Sequence, residues 1–289
     1  MTTAKLICGD VLEVLKSMKD DSVGLSFFSP PYPLKTERYA GARKKMDGAD
    51  WMQWMDDCCI EVARITNGMC GLVMTNPVVD GCMLPFVEQL VGSLHWLRGL
   101  CVETPVIWRK NSAPNRHQGK RQWFRHSYEH VLFFSKKDAR RAFNWEEIAK
   151  PPKFGNGGKF RQRNAKGEIR EGGDYPKNKL ARPCDIVEVP VGGGMMGSKF
   201  SSENEAPFPE KLVEPFVKVL SNPGDIVLDP FCGSGTTGAV ALRLGRGFIG
   251  IDIRPSQIDV SKRRLHDVGG FSKLECVDAR NLKQKEFSF

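Results

Sequence analysis

Two short segments, one near each end of the 289-residue chain, hold residue types that can do chemistry. The first is Ser29-Pro30-Pro31-Tyr32. Its prolines stiffen the backbone and remove two N–H donors. The serine hydroxyl and nearby carbonyls remain as convergent acceptors, and the tyrosine offers a flat ring. That set suits a planar ring bearing an exocyclic NH₂. Such an amine is a poor nucleophile, because its lone pair is delocalised into the ring. Acceptors that pull on both N–H bonds localise the pair and stabilise the charge that develops during attack. The plainer reading is a proline-rich strand terminator.

The second segment is Asp229-Pro230-Phe231-Cys232-Gly233-Ser234-Gly235-Thr236. Glycines let a backbone turn sharply and approach a ligand closely. The helix that follows presents unpaired N–H groups and the positive end of its dipole. One strand later comes Asp252, where dinucleotide-binding sheets hold a ribose diol. A purely structural βα turn is the competing reading. No G-x-x-x-x-G-K-[ST] stretch is present, so an NTPase phosphate loop is not expected.

Elements must exist to position these segments. The pattern predicts strands over 5–8, 22–28, 71–75, 102–108, 130–135, 225–228 and 247–251. It predicts helices over 11–18, 51–64, 85–97, 209–220, 238–244 and 256–268. Strands alternating with helices imply a mostly parallel sheet with helices on both faces. Residues 138–200 differ: glycine clusters punctuate a polar, basic stretch, which reads as an irregular, partly mobile insertion. Leu6-Ile7-Cys8-Gly9-Asp10 is echoed by Leu274-Glu275-Cys276-Val277-Asp278, and Asp278 reads as part of a tail.

The net charge of +9 is concentrated in the middle of the chain. Arg109, Lys110, Arg116, Lys120, Arg121 and Arg125 meet no acid between 109 and 125. Across 150–182, the bases outnumber Glu168, Glu171 and Asp174 threefold, while the rest of the chain is slightly acidic on balance. A near-neutral framework with a basic insertion suggests a polyanion partner. A solvated basic surface is the bland alternative. Trp123-Phe124 between Arg121 and Arg125 mixes aromatics with bases as nucleic-acid surfaces do. Residues 34–50 read as a polar, mobile loop next to Tyr32, and Trp51 and Trp54 read as core.

No apolar run approaches the roughly 20 residues of a membrane span, and no secretory signal is evident at the start. The nine cysteines include no C-x-x-C pair, which disfavours a disulfide framework or structural zinc and fits a reducing cytoplasm. His126 and His130 are four apart, but on a strand, so no metal site is expected.

Together the motifs resemble an established family, the DNA amino-methyltransferases that use S-adenosylmethionine (SAM). The family signatures [DNS]-P-P-[YFW] and F-x-G-x-G read here as Ser29-Pro30-Pro31-Tyr32 and Phe231-Cys232-Gly233-Ser234-Gly235. Asn204 to Leu212 looks like the segment before the SAM loop. Trp108 to Asn111 and Glu129 to Lys136 look like the strands flanking the base pocket. The order, catalytic tetrapeptide first and SAM loop last, is that of the β group.

The resemblance implies a Rossmann-like α/β fold with SAM as methyl donor. It implies an N-terminal catalytic half at 1–137, an inserted target-recognition region at 138–200 and a C-terminal SAM-binding half at 201–289. Ser29 and the Pro30 carbonyl would accept from the target amine, Pro31 would stiffen the turn, and Tyr32 would stack on the extruded base. Asp229, Pro230, Phe231, Gly233, Ser234, Gly235 and Thr236 would line the methionine end of SAM. Asp252 would bind the ribose and Asp10 the adenine, although Asp10 also suits a helix N-cap. Lys211 reads as a surface lysine. Double-stranded DNA is the implied partner, with a restriction endonuclease as a candidate counterpart. Cys232 lies in the glycine turn and Cys184 in the insertion, so neither suits ring-carbon methylation. Serine at the first tetrapeptide position is typical of cytosine-N4 enzymes, whereas Asp or Asn is commoner in adenine-N6 enzymes. RNA or protein-glutamine methylation and a non-catalytic DNA-binding scaffold are the remaining alternatives.

Overall fold

The structure is a computed structural model, and it describes residues 2–32, 46, 48–110, 126–152, 158–175, 179–191, 199–203 and 207–279. In chain order the first half holds β1 (Thr2–Cys8), α1 (Val11–Ser17), β2 (Val23–Phe28), α2 (Gly48–Ile65) and β3 (Thr66–Met74). A small hairpin of β4 (Val78–Val79) and β5 (Cys82–Met83) leads into α3 (Phe86–Gly92) and a π-helical turn at Ser93–Leu97. Then come β6 (Cys101–Val102), β7 (Val106–Arg109), β8 (Tyr128–Ser135), β9 (Gly158–Arg163), β10 (Ile169–Tyr175) and β11 (Ile186–Glu188). The last part holds α4 (Glu210–Leu220), β12 (Ile226–Asp229), α5 (Thr236–Arg243), β13 (Gly247–Asp252), α6 (Pro255–Val268) and β14 (Phe271–Asp278).

The main sheet runs β11-β7-β8-β3-β2-β12-β13-β1-β14, with β6 also paired to β8. Its pairings are parallel except where β8 meets β3, β6 and β7. Strands buried on both faces read as continuous apolar runs, and β2 (Val-Gly-Leu-Ser-Phe-Phe) is one. Alternate side chains feed two cores. Ile7, Leu72, Leu132, Leu228 and Ile251 pack with α1, α2 and α3 on one face. Leu6, Val73, Val131, Val227 and Phe248 pack with α4, α5 and α6 on the other. The helix leaving β12 and the helix that follows β2 therefore lie on opposite faces, and a crevice opens between these neighbouring strands, where open α/β sheets bind ligands.

Several expectations are corrected. The strand expected over 102–108 is broken into β6 and β7, because Pro105 lacks a ladder donor. The helix expected over 85–97 changes at Ser93 to a π turn, held by Ser93 and Arg98 on the buried Asp56 carboxylate at 2.7 and 2.6 Å. The strand expected from Gly71 begins at Thr66. The insertion is more regular than its glycines suggest: β9 and β10 form an antiparallel hairpin, and β11 joins the main sheet beside β7. Within that hairpin Arg161 pairs in register with Glu171, and Lys159 with Asp174. Asp278 is no tail residue; it closes β14, an edge strand in register with β1. The echo between the two segments is thus a pair of adjacent parallel strands. The loop over 34–50, apart from Met46 and Gly48–Asp50, and the Trp123-Phe124 pair lie outside the described residues, as do Asn111, Gly192–Gly194 and Asn204–Ala206.

β2 and β3 pair with a bulge between Val23 and Leu25. There a Cβ on Gly68 would stand 2.0 Å from the Gly24 carbonyl oxygen. The obstacle is backbone, so it cannot step aside. Gly68→Ala should lower the unfolding free energy by about 2–3 kcal/mol; an unchanged urea midpoint would contradict this close approach.

Candidate active site

Four parallel strands end at one cleft. Gly9 and Asp10 follow β1, Ser29–Tyr32 follow β2, Asp229–Gly233 close β12, and Asp252–Arg254 close β13. The cleft holds about 1020 Å³ of space, its open mouth included. Tyr32 and Gly233, about two hundred positions apart in sequence, line the same cavity.

The tetrapeptide is held from outside. Pro30 is buried, and Ser29, Pro31 and Tyr32 are half-buried. The Trp51 indole N–H donates to the Pro31 carbonyl at 3.0 Å, and the ring packs edge-on against Phe86. Trp51 is therefore core, as expected, but it also pins the turn. The Tyr32 hydroxyl donates to Glu129 Oε2 at 3.1 Å. Trp54 packs against the same core, as expected, but it is only half-buried and also lines the cleft edge-on to Phe231, with ring centroids 5.6 Å apart. Its indole N–H is buried and has no acceptor among the described residues.

The glycine turn is built by its neighbours. Gly233 and Gly235 have φ of 46° and 76°, the left-handed region that suits glycine. The Gly233 N–H donates to Asp252 Oδ2 at 3.0 Å, and the Ser261 hydroxyl donates to the Gly233 carbonyl at 2.7 Å. A Cβ on Gly235 would meet the Ser261 hydroxyl at 2.8 Å, so this glycine admits α6 rather than a ligand. Ser234 is buried and its oxygens face the Arg264 guanidinium at 3.3 and 3.4 Å. Ser234 and Gly235 are thus not among the cleft-lining residues, whereas Asp10, Asp229, Pro230, Phe231, Gly233, Thr236 and Asp252 are. Lys211 is exposed and stands apart from the cleft.

Beneath the turn, Arg264 donates to Thr236 Oγ1 at 2.9 Å and to Glu210 Oε1 at 2.6 Å, while Arg243 takes Glu210 Oε2 at 2.6 Å. A buried charge without its partner is costly, so this ion pair binds α4, α5 and α6 into one support. Sequence reasoning missed it, because nothing local links residues 210, 236 and 264. It also missed Arg254, whose backbone N–H and Nε donate to Asp252 Oδ1 at 2.9 and 3.4 Å. The spacing Asp252-Ile253-Arg254 was its only trace.

Asp10 does what a helix N-cap does: its carboxylate accepts from the Leu12 and Glu13 N–H groups at 3.1 and 3.3 Å. It faces the cleft as well. Asp229 is buried and accepts from the Phe231 N–H at 3.0 Å. Burial pushes its carboxyl up to about 7, opposed by hydrogen bonds from Thr237 and Phe231 and reinforced by the charge of Asp252. Burial also raises Asp252, against the hydrogen bonds and charge of Arg254. His126 and His130 hold no metal cluster among the described residues; His126 bonds the Thr75 hydroxyl at 2.8 Å, and Tyr128 lies between the two rings.

The cleft suits SAM. The buried Asp229 carboxyl stands ready for a cationic ligand, Phe231 and Trp54 give it an apolar wall, and an orphaned indole donor offers a place for an acceptor.

The sequence pattern that defines the DNA methylase family matches residues 23–263. The chain is 27% identical over 286 residues to DNA adenine methyltransferase YhdJ of Escherichia coli (strain K12), covering 98% of this chain and 90% of that protein. It is 25% identical over 282 residues to Type II methyltransferase M.HpaI of Haemophilus parainfluenzae, covering 96% and 78%. Among solved structures it superposes on TTHA0409 of Thermus thermophilus, complexed with S-adenosyl-L-methionine, with a TM-score of 0.61 and 25% identity over 95% of this chain and 100% of that one. The fold is also that of the PvuII DNA methyltransferase (cytosine-N4-specific), with a TM-score of 0.69 and 19% identity over 96% of each chain.

The Asp229 carboxyl gives a stability test. Its folded pKa lies above the unfolded value of about 3.9, so the folded state holds the proton more tightly. The resulting stability is complete below about pH 4 and is lost as pH rises to about 7. Asp229→Asn should remove up to about 4 kcal/mol of that pH dependence. Urea unfolding at pH 5 and pH 8 reads it; parallel pH profiles for variant and wild type would exclude a raised carboxyl here.

Proposed function

The chain belongs to the DNA methylase family, and from that premise we propose that it methylates the exocyclic amine of a flipped-out cytosine, giving N4-methylcytosine. The chain is a SAM-dependent DNA amino-methyltransferase of the cytosine-N4 or adenine-N6 family. The single observation that carries the reading is the shared cleft, which joins the Ser29–Tyr32 turn to the Phe231–Gly233 turn. A non-catalytic scaffold would not need both intact.

When bound, SAM supplies a methyl group already activated by a sulfonium centre. The chain's own task is alignment and charge. Asp229 offers negative charge to the cationic donor, and Asp10 and Asp252 offer acceptors for its hydroxyl and amine groups. Phe231 and Trp54 form the apolar wall. Ser29 Oγ and the Pro30 carbonyl accept the N–H bonds of the target amine. They stabilise the positive charge that grows on its nitrogen as the methyl arrives. Tyr32 stacks on the base, which must leave the duplex to reach these groups. No covalent intermediate is required.

Serine at position 29 favours cytosine. The adenine reading has its own support, because YhdJ, which resembles the chain over nearly its whole length, is named a DNA adenine methyltransferase. We read residues 138–200 as the target-recognition segment between the two halves, 1–137 and 201–289. The β9–β10 hairpin is a two-stranded ribbon, an element that a major groove admits.

Mass spectrometry of nucleosides from DNA methylated in vitro should show N4-methylcytosine; N6-methyladenine alone would establish the adenine reading instead. Ser29→Ala should cut kcat by about 10²-fold, the cost of one donor-acceptor contact to developing charge, with little change in SAM affinity. DNA binding should weaken steeply with salt, at a logarithmic slope of about −0.9 per phosphate contact. A flat salt response would exclude the basic segment as the DNA-binding element.

A further inference from the structure

We propose that Glu129 is a positioning residue for Tyr32, holding the tyrosine ring in place for the target base. The inference rests on the functional reading above and goes beyond the tetrapeptide itself. Two prolines and the Trp51 contact fix the backbone of the turn, but neither fixes the far end of a tyrosine side chain. Glu129 does so, by accepting the phenol hydrogen at 3.1 Å.

The placement of Glu129 is costly on structural grounds alone. It lies on β8 at 8% exposure, on the same face as the buried Val131 and Phe133. An apolar residue would continue that face at no electrostatic cost. A carboxylate there must be paired, and Lys110, from the end of β7, supplies the ion pair on Oε1. The remaining oxygen is the one that meets Tyr32.

The support extends outward. Trp108 lies directly opposite Glu129 in the β7–β8 ladder. The Lys110 ammonium sits over the Trp108 ring, 4.7 Å from its centroid. The Trp108 indole N–H donates to the Val189 carbonyl at 2.8 Å, one residue beyond β11. A continuous line of contacts therefore runs from the base-facing ring, through Glu129, Lys110 and Trp108, to the segment read here as recognising DNA. Glu129 touches neither donor nor target amine in this account; it acts through Tyr32.

A double-mutant cycle on methyl transfer tests this. Tyr32→Phe keeps the ring and removes the hydroxyl; Glu129→Ala keeps the hydroxyl and removes its acceptor. Each should lower kcat about tenfold while the KM for SAM stays within about twofold, and the double variant should be no slower than either single. Glu129→Gln retains an acceptor for the phenol and should recover most of the rate. Multiplying losses of about a hundredfold would overturn the proposal, as would Glu129→Ala at the wild-type rate. If Glu129→Ala does not fold, Tyr32→Phe and Glu129→Gln carry the test: Tyr32→Phe at full rate, or Glu129→Gln slower than Tyr32→Phe, overturns it. A wild-type chain that methylates no DNA would sink the functional reading and this inference with it, whereas an active wild type with an indifferent Glu129 sinks this inference alone.

Discussion

The cleft depends on one pairing: β12, from the last quarter of the chain, lies between β2 and β13. Val227 pairs with Leu25 and Leu228 with Ser26, in parallel. Parallel strands end on the same side, so the Pro30-Pro31 turn and the Asp229–Gly233 turn must emerge together. A one-residue slip of β12 would swap Val227 and Leu228 between the two cores and turn Asp229 to the wrong face. Because each face of the sheet is packed by its own set of helices, that slip is strongly opposed. Thr237 on α5 adds a tie: its hydroxyl, which also faces Asp229, lies 3.3 Å from the Phe27 carbonyl.

Around this pairing the molecule places charges where burial makes them expensive and then satisfies them. Glu210 with Arg264 and Arg243 supports the turn from below, and Asp252 with Arg254 closes it from the side. Asp229 is different, because its partners are an N–H group and a hydroxyl rather than a cation. A carboxyl held near neutrality in this way responds to any cation that enters the cleft. The geometry thus separates structural charges, which are paired inside the protein, from a charge that a ligand can complete.

Much of this is legible in the amino-acid sequence alone. The two motifs, the alternation of strands and helices, and the basic middle are local in sequence, and local patterns survive folding when tertiary forces agree with them. What escaped was of two kinds. Breaks within elements, such as the division of the expected strand at Pro105 and the π turn at Ser93, depend on a single residue or a distant anchor such as Asp56. Long-range partners were invisible: Trp51 on Pro31, Glu129 on Tyr32 and Arg264 on Glu210 have no spacing rule that connects them. The cleft-lining side of Trp54 escaped too, because helical periodicity tells which face a residue occupies, but not whether that face ends at a cavity.

By itself, the order of residues determined which groups were available: an amine-accepting turn stiffened by proline, a glycine turn preceding a helix, and a carboxylate one strand further on. These follow from bond geometry and from the missing Cβ or N–H of particular residues, which act over a few positions. Only the tertiary structure decided that the groups share one cavity, that Ser234 faces Arg264 and Gly235 packs against Ser261, and that Asp229 is buried beside Asp252. Those outcomes arise from strand order and from the exclusion of water, and both are properties of the assembled sheet rather than of any stretch of the chain.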